Sequence, residues 1–321
     1  MHDQPGNRTR KPSPGQRLRT LMDAGCVAMP GAFNGLVARA ARKAGFDSLY
    51  VSGAAVSASF GVPDVGMVSL TEFTGVIEQV ARASQLPVLA DADTGFGESE
   101  MVVRTVREYA RAGAAALHIE DQVFPKRCGH LDGKRLVPAE HMIEKVRAAA
   151  KARDAMAGTD GDGFVICART DARGVESFDS AVHRARAYIE AGADMIFPEG
   201  LANLEEFRQF ATAIKAPPAH IAQRTAQSAK RTAHRGPYLL ANMTEFGKTP
   251  IIPLKDFAAA GYDCVIWPVT TLRAAMGEVT RALEHLKRDG DVSAFIDRVQ
   301  DRKALYDLLK YTPGEEWVFP G

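Results

Sequence analysis

The chain has 321 residues, 46% hydrophobic and 25% charged, with a formal net charge of +1. Such a composition supplies ample apolar material for a core, and near-neutrality gives no whole-molecule field that would favour nucleic acid or an anionic membrane. Length alone leaves one domain or two open, because α/β barrels run to roughly 250 residues or more as one unit.

Residues 1–16 are polar and rich in Pro and Arg, without the apolar stretch of a secretory signal. They read as a mobile arm, with 17–321 as a single domain. No apolar run reaches the ~18–20 residues of a membrane span. Cys26, Cys128, Cys167 and Cys264 are scattered without a C-x-x-C pair, which argues against a disulfide framework or zinc and for a reducing, cytoplasmic compartment.

Short, nearly continuous apolar runs predict strands at 27–33, 48–53, 87–93, 116–121, 164–170, 195–199, 238–243 and 263–268. A recurring phrase precedes four of them: a helix, Ala-Gly, one or two residues, then the strand, at Gly45, Gly113, Gly192 and Gly261. Glycine there suits the left-handed position that ends a helix. Helices are expected over about 70–83 and 98–112; the second has Glu98 and Glu100 in its first turn and an apolar stripe of Val102, Val103, Val106, Tyr109 and Ala110. Eight strands alternating with helices predict an α/β fold of the (β/α)₈ TIM-barrel type. A doubly wound open sheet is the runner-up, weakened because no G-x-G-x-x-G follows the first strand. Two surplus helices, 269–288 and 291–310, suggest subunit contacts.

Barrel sites form at the C-terminal ends of the strands. Strand three ends in Asp91-Ala92-Asp93, two acids on one face, a pattern that suits magnesium and equally a capping acid beside a loop acid. Strand four places His118 and Glu120 on a shared face, either oriented toward such an ion or as a buried structural pair. In the following loop, Cys128 lies among Lys126, Arg127 and His130, and that positive surrounding would lower the thiol's pKa toward acid–base use. Tyr50 and Ser52 end strand two, Arg169 strand five, Glu199 strand six, and Asn242 with Thr244 strand seven. Arg169 is suited to clamp a substrate carboxylate with paired hydrogen bonds.

Taken together, K-R-C-G-H (126–130), D-A-D-x-G-F-G (91–97), L-H-I-E-D-Q (117–122), A-R-T-D-A (168–172), F-P-E (197–199) and N-M-T-E-F-G (242–247) resemble the methylisocitrate lyases, within the isocitrate lyase and phosphoenolpyruvate mutase superfamily. The resemblance runs from about residue 16 to 311. It implies cleavage of 2-methylisocitrate to pyruvate and succinate in propionate breakdown. It also implies a barrel whose last helix is exchanged between subunits, a homotetramer built as a dimer of dimers, and Mg²⁺ near Asp91 and Asp93, with Asp64, His118 and Glu120 around it. Cys128 would protonate the succinate-like carbanion from a loop that closes over substrate, with Lys126 and His130 beside it and Tyr50 as a candidate base or relay. Substrate contacts carry over to Ser52, Gly53, Ala54, Cys128, Gly129, Arg169, Glu199, Asn242, Met243, Thr244, Arg273 and Arg302.

Three features depart from the family pattern. Ser52-Gly53-Ala54-Ala55 replaces its S-G-G-G, residues 217–237 form a basic insert without an acid, and the ending TPGEEWVFPG is unusual. Within the superfamily, 2,3-dimethylmalate lyase, isocitrate lyase, oxaloacetate decarboxylase and phosphonate mutase are the competing activities. The cysteine motif argues against the last two. A nucleic-acid role for the insert (Arg224, Lys230, Arg231, Arg235) and the N-terminal arm (Arg8, Arg10, Lys11) is disfavoured, since the insert has no aromatic residue to stack on bases.

Overall fold

The computed structural model describes residues 11–127, 129, 133–216 and 237–318; Cys128, His130 and the insert up to residue 236 lie outside the described residues. Eight parallel strands follow one another around a ring: β1 (Val27–Pro30), β2 (Leu49–Val51), β3 (Val88–Asp91), β4 (Ala116–Glu120), β5 (Val165–Thr170), β6 (Met195–Pro198), β7 (Tyr238–Asn242) and β8 (Cys264–Trp267). Neighbours pair in sequence order, β8 returns to β1, and a parallel bridge between Gly31 and Tyr50 closes β1 onto β2. The predicted strands are all present but shorter by one to three residues, because their C-terminal ends turn out of the ladder to make the site.

Helices α2 (Gly35–Lys43), α3 (Gly53–Ser59), α4 (Leu70–Ser84), α5 (Ser99–Arg111), α6 (Ala139–Asp154), α7 (Ala172–Val175), α8 (Phe178–Glu190), α9 (Leu204–Lys215) and α10 (Leu254–Ala259) connect the strands. Strand residues alternate between two cores. On β5, Ile166 and Ala168 face the helices, while Val165 and Cys167 fill the barrel interior with Met29, Leu89, Met195, Phe197 and Leu240. This alternation carries inward-facing Asp91, His118, Glu120 and Arg169 up to the mouth.

The opposite end of the barrel is plugged by α1 (Pro14–Ala24), whose Leu18 and Met22 join the interior core. Residues 13–16, expected within a mobile arm, instead begin this helix: Ser13 caps it, accepting from the Gln16 N–H while the Gln16 side chain accepts from the Ser13 N–H, and Pro14 fits the first turn. Buried Arg19 donates to the carbonyls of Gly163 (2.8 Å) and Phe164 (3.1 Å) and pairs with Asp194 at 2.9 Å. Replacing Arg19 with Met leaves those acceptors unmet and should cost about 3 kcal/mol; an unchanged thermal midpoint would show that the plug is not held this way.

Beyond β8, α11 (Thr270–Asp289) has no buried residue and displays Met276, Val279, Leu283 and Leu286 to solvent. The single helix expected over 291–310 is instead a 3₁₀ turn (Ser293–Arg298) followed by α12 (Arg302–Leu309). Asp301 restarts the helix by accepting from the Ala304 N–H at 2.7 Å. Among the described residues no helix is long and apolar enough to cross a membrane.

Candidate active site

Asp91, the last residue of β3, is fixed on both carboxylate oxygens. Oδ2 accepts from the Gly53 N–H (3.0 Å) and Oδ1 from the Asp93 N–H (2.9 Å). Glycine is required at 53, where a Cβ would sit 2.7 Å from Asp91 Oδ2. Asp93 lies one turn further, at φ +45°, and its side chain meets Lys126 at 2.8 Å; Lys126 also pairs with Asp64. The loop is braced from outside, with Tyr109 donating to the Asp91 carbonyl (2.7 Å) and Lys145 to that of Thr94 (3.1 Å).

The neighbouring strand brings His118 and Glu120 to the same level. Ligand atoms of Asp91, His118 and Glu120 lie within 4.8 Å of one another, a grouping that could hold a metal ion. Asp93, which the sequence paired with Asp91, lies beside it: Asp91 Oδ2 and Asp93 Oδ1 stand 2.7 and 3.3 Å from where a Cβ on Gly53 would be, and Lys126 meets Asp93 there. His118 Nε2 is hydrogen-bonded to the Tyr50 hydroxyl at 2.8 Å. Burial holds the imidazole neutral, down to about 4, and pushes the Tyr50 phenol well above its ordinary range, reinforced there by Asp91. The Tyr50 hydroxyl and the His118 ring are thus joined as a neutral hydrogen-bonded pair. Burial also pushes Glu120 up strongly and Asp93 to about 6. Asp91 is burdened by burial too, but the surrounding His118, Lys126 and Arg169 hold its carboxyl below the ordinary carboxylate range.

Arg169 is buried at the end of β5. Its Nε and Nη2 donate to Asp171 (3.0 and 3.1 Å), and Nη1 lies 3.3 Å from Glu120 and 3.5 Å from Glu199. Glu199 accepts from Asn242 Nδ2 (3.1 Å) and from the Gly200 N–H (2.9 Å). A cavity of about 230 Å³ opens over these groups, and among the expected residues Tyr50, Ser52, Ala54, Asp64, Asp91, Lys126, Gly129, Arg169, Glu199, Asn242, Thr244 and Arg273 line it. Gly53 backs onto Asp91, while Met243 is buried beneath, its sulfur accepting from the Ile252 N–H. Arg302 is not among the lining residues; it stands exposed at the start of α12, which packs on α2. Sequence reasoning missed Glu245, Phe246, Lys134 and Asp171 as parts of the site. Phe246 stacks under the Arg273 guanidinium at 5.1 Å, and Lys134 joins Asp171 at 2.7 Å.

The residues fit a hard divalent cation. Both Glu120 oxygens are buried without a hydrogen-bond partner, and two of the three grouped ligands, Asp91 and Glu120, are carboxylates. Around the mouth the carboxyl groups of Asp64, Asp91, Asp93, Glu120, Glu199 and Glu245 outnumber the cations Lys126, Arg169 and Arg273, and a bound cation would offset the burial that pushes Glu120 and Asp93 up.

The phosphoenolpyruvate phosphomutase family model matches residues 18–287. A 2-methylisocitrate lyase of Aeropyrum pernix is 47% identical over 300 residues, covering 93% of this chain and 88% of that protein. A crystal structure of 2,3-dimethylmalate lyase, described as a member of the PEP mutase/isocitrate lyase superfamily, superposes with a TM-score of 0.77 at 36% identity, covering 93% and 92% of the two chains. A phosphonopyruvate hydrolase complexed with oxalate and Mg²⁺ gives a TM-score of 0.76 at 30% identity over 93% and 95%. With a matched model spanning most of the barrel and relatives this similar over nearly the whole length, the chain belongs to the phosphoenolpyruvate phosphomutase family.

Proposed function

We infer that the protein is a Mg²⁺-dependent carbon–carbon lyase that cleaves 2-methylisocitrate to pyruvate and succinate. The observation that carries this is the meeting, in one mouth, of a buried carboxylate cluster with an arginine already aligned for a carboxylate, on a chain so similar to a 2-methylisocitrate lyase. Asp91 and Asp93 would hold the ion, with Asp64, His118 and Glu120 around it. When bound, the ion lowers the cost of the substrate alkoxide and of the 2-oxo acid product.

The chain's own groups do the rest. Arg169 and Arg273 bind substrate carboxylates, while Asn242, Thr244, Ser52 and the backbone of Gly53, Ala54 and Gly129 orient the polar groups between them. Glu199 fixes Arg169 and Asn242 in register. As the carbon–carbon bond breaks, the proton lost by the substrate hydroxyl goes to the Tyr50 oxygen while the Tyr50 proton passes to His118 through their mutual hydrogen bond. Cys128, with Lys126 and His130 close in sequence, delivers the proton that turns the succinate carbanion into succinate. Arg302, if it takes part, does so from a second subunit. The reading places the enzyme in the cytoplasm.

The test is pyruvate release from 2-methylisocitrate beside glyoxylate release from isocitrate, each with Mg²⁺ and with EDTA. Pyruvate should form only with metal and outpace glyoxylate by about tenfold or more, the scale on which one methyl-sized contact discriminates. Silence on both substrates from folded protein would overturn the assignment and direct the search to 2,3-dimethylmalate, the substrate named for the solved relative.

The exposed apolar face of α11 supports assembly with other copies. Light scattering should give a tetramer, and a monomer at micromolar concentration would refute it.

A further inference from the structure

Asp171 does more than orient Arg169. Its carboxylate is fully buried and collects four donors: Arg169 twice, Gln122 Nε2 at 3.3 Å and Lys134 Nζ at 2.7 Å. The last two come from either side of the cysteine-bearing segment. Gln122 also grips Arg127 by both backbone groups, accepting its N–H and donating to its carbonyl, each at 2.9 Å. Lys134, with its side chain only 5% exposed, donates to the Gly129 carbonyl as well. Gly129 itself rests directly on the substrate clamp. A Cβ there would lie 2.6 Å from Glu199 Cγ and closer still to Arg169. The same carboxylate therefore sets the guanidinium from one side and, through Lys134, the backbone beside Cys128 from the other.

We propose that Lys134 is a positioning residue for the lyase reaction: its ammonium, bridging Asp171 and the Gly129 carbonyl, latches the cysteine-bearing segment onto the arginine that holds the substrate. The activity arm of this proposal rests on the lyase reading above; a second arm does not. A lysine serving only to neutralise a buried acid would affect the stability of the whole barrel. A latch affects the segment and the chemistry it delivers, and leaves Arg169 bound to Asp171.

The experiment compares the full-length wild type with Lys134→Met and Lys134→Arg. Trypsin cleavage after Arg127 is followed on folded protein, since local release raises cleavage without global unfolding. Lys134→Met should be cut there about fivefold faster than wild type, with cleavage outside residues 126–135 unchanged, position 134 itself no longer being a trypsin site. Its kcat should fall about tenfold or more, with KM within about threefold, since Arg169 remains in place while the proton donor is misplaced. Lys134→Arg should restore both most of the way. If Lys134→Met does not fold, Lys134→Gln serves in its place, keeping a donor for Gly129 without the charge. A kcat within twofold of wild type, or a fall in kcat with unaltered cleavage after Arg127, overturns the latch. A wild type inactive on every substrate refutes the lyase reading instead, and the cleavage comparison then decides the latch alone.

Discussion

Cys128→Ser should keep the fold and lose about a thousandfold in kcat, in the range expected when a general acid is removed. Serine replaces the thiol almost isosterically, so nothing in the described core is disturbed. What changes is acidity: a hydroxyl cannot release a proton at neutral pH, whereas a thiol in a positive neighbourhood is poised to do so. Lys126 supplies that charge in the described structure, buried and paired with Asp64 and Asp93, and its acidic neighbours hold the ammonium charged against the effect of burial. Gly129, the next residue along, lines the cavity and borders the clamp at Arg169 and Glu199. The measurement is steady-state pyruvate release, with circular dichroism and the thermal midpoint as checks on folding. Turnover near that of wild type would remove Cys128 from the chemistry and leave the proton to Tyr50 and His118.

The parts of this site legible in the sequence were those governed by local rules. The eight strands announced themselves because a parallel barrel buries both strand faces, and the glycines at 45, 113, 192 and 261 marked the turns into four of them; all four adopt positive φ. Period-two alternation then placed Asp91, His118, Glu120 and Arg169 inward at the right end. What escaped depended on distance in the chain or on burial. Nothing local joins Lys134 to Asp171, or Lys126 to Asp64 and Asp93. Tyr50 reads from sequence as a candidate base or relay; its burial beside Asp91, which pushes the phenol well above its ordinary range, comes from the fold. Arg302 was placed by motif order, but it follows the last strand, where strand geometry no longer constrains position. Its exposed place on α12 leaves it out of a mouth built by one chain.

Arg169 is the residue on which stability and activity should be most tightly joined. Its guanidinium neutralises Asp171 through two hydrogen bonds and stands between Glu120 and Glu199, over the Phe197 ring at 5.1 Å. Arg169→Met would fill similar space while leaving those buried carboxylates without their shared cation. Breaking such a group by removing one partner costs about 3–5 kcal/mol, which should lower the thermal midpoint by about 6 °C in a chain of this size. Arg169→Lys separates the two roles. An ammonium still offsets the acids, so the midpoint should recover most of the loss. It cannot, however, donate to Asp171 from two nitrogens and present a third N–H edge to a substrate carboxylate, so kcat/KM should remain about a hundredfold or more below wild type. If Arg169→Lys turns over normally, a point charge suffices at this position and the aligned guanidinium is not what reads the substrate. If Arg169→Met is as stable as wild type, the buried carboxylates around it do not depend on this guanidinium, and stability and activity are not joined at this position.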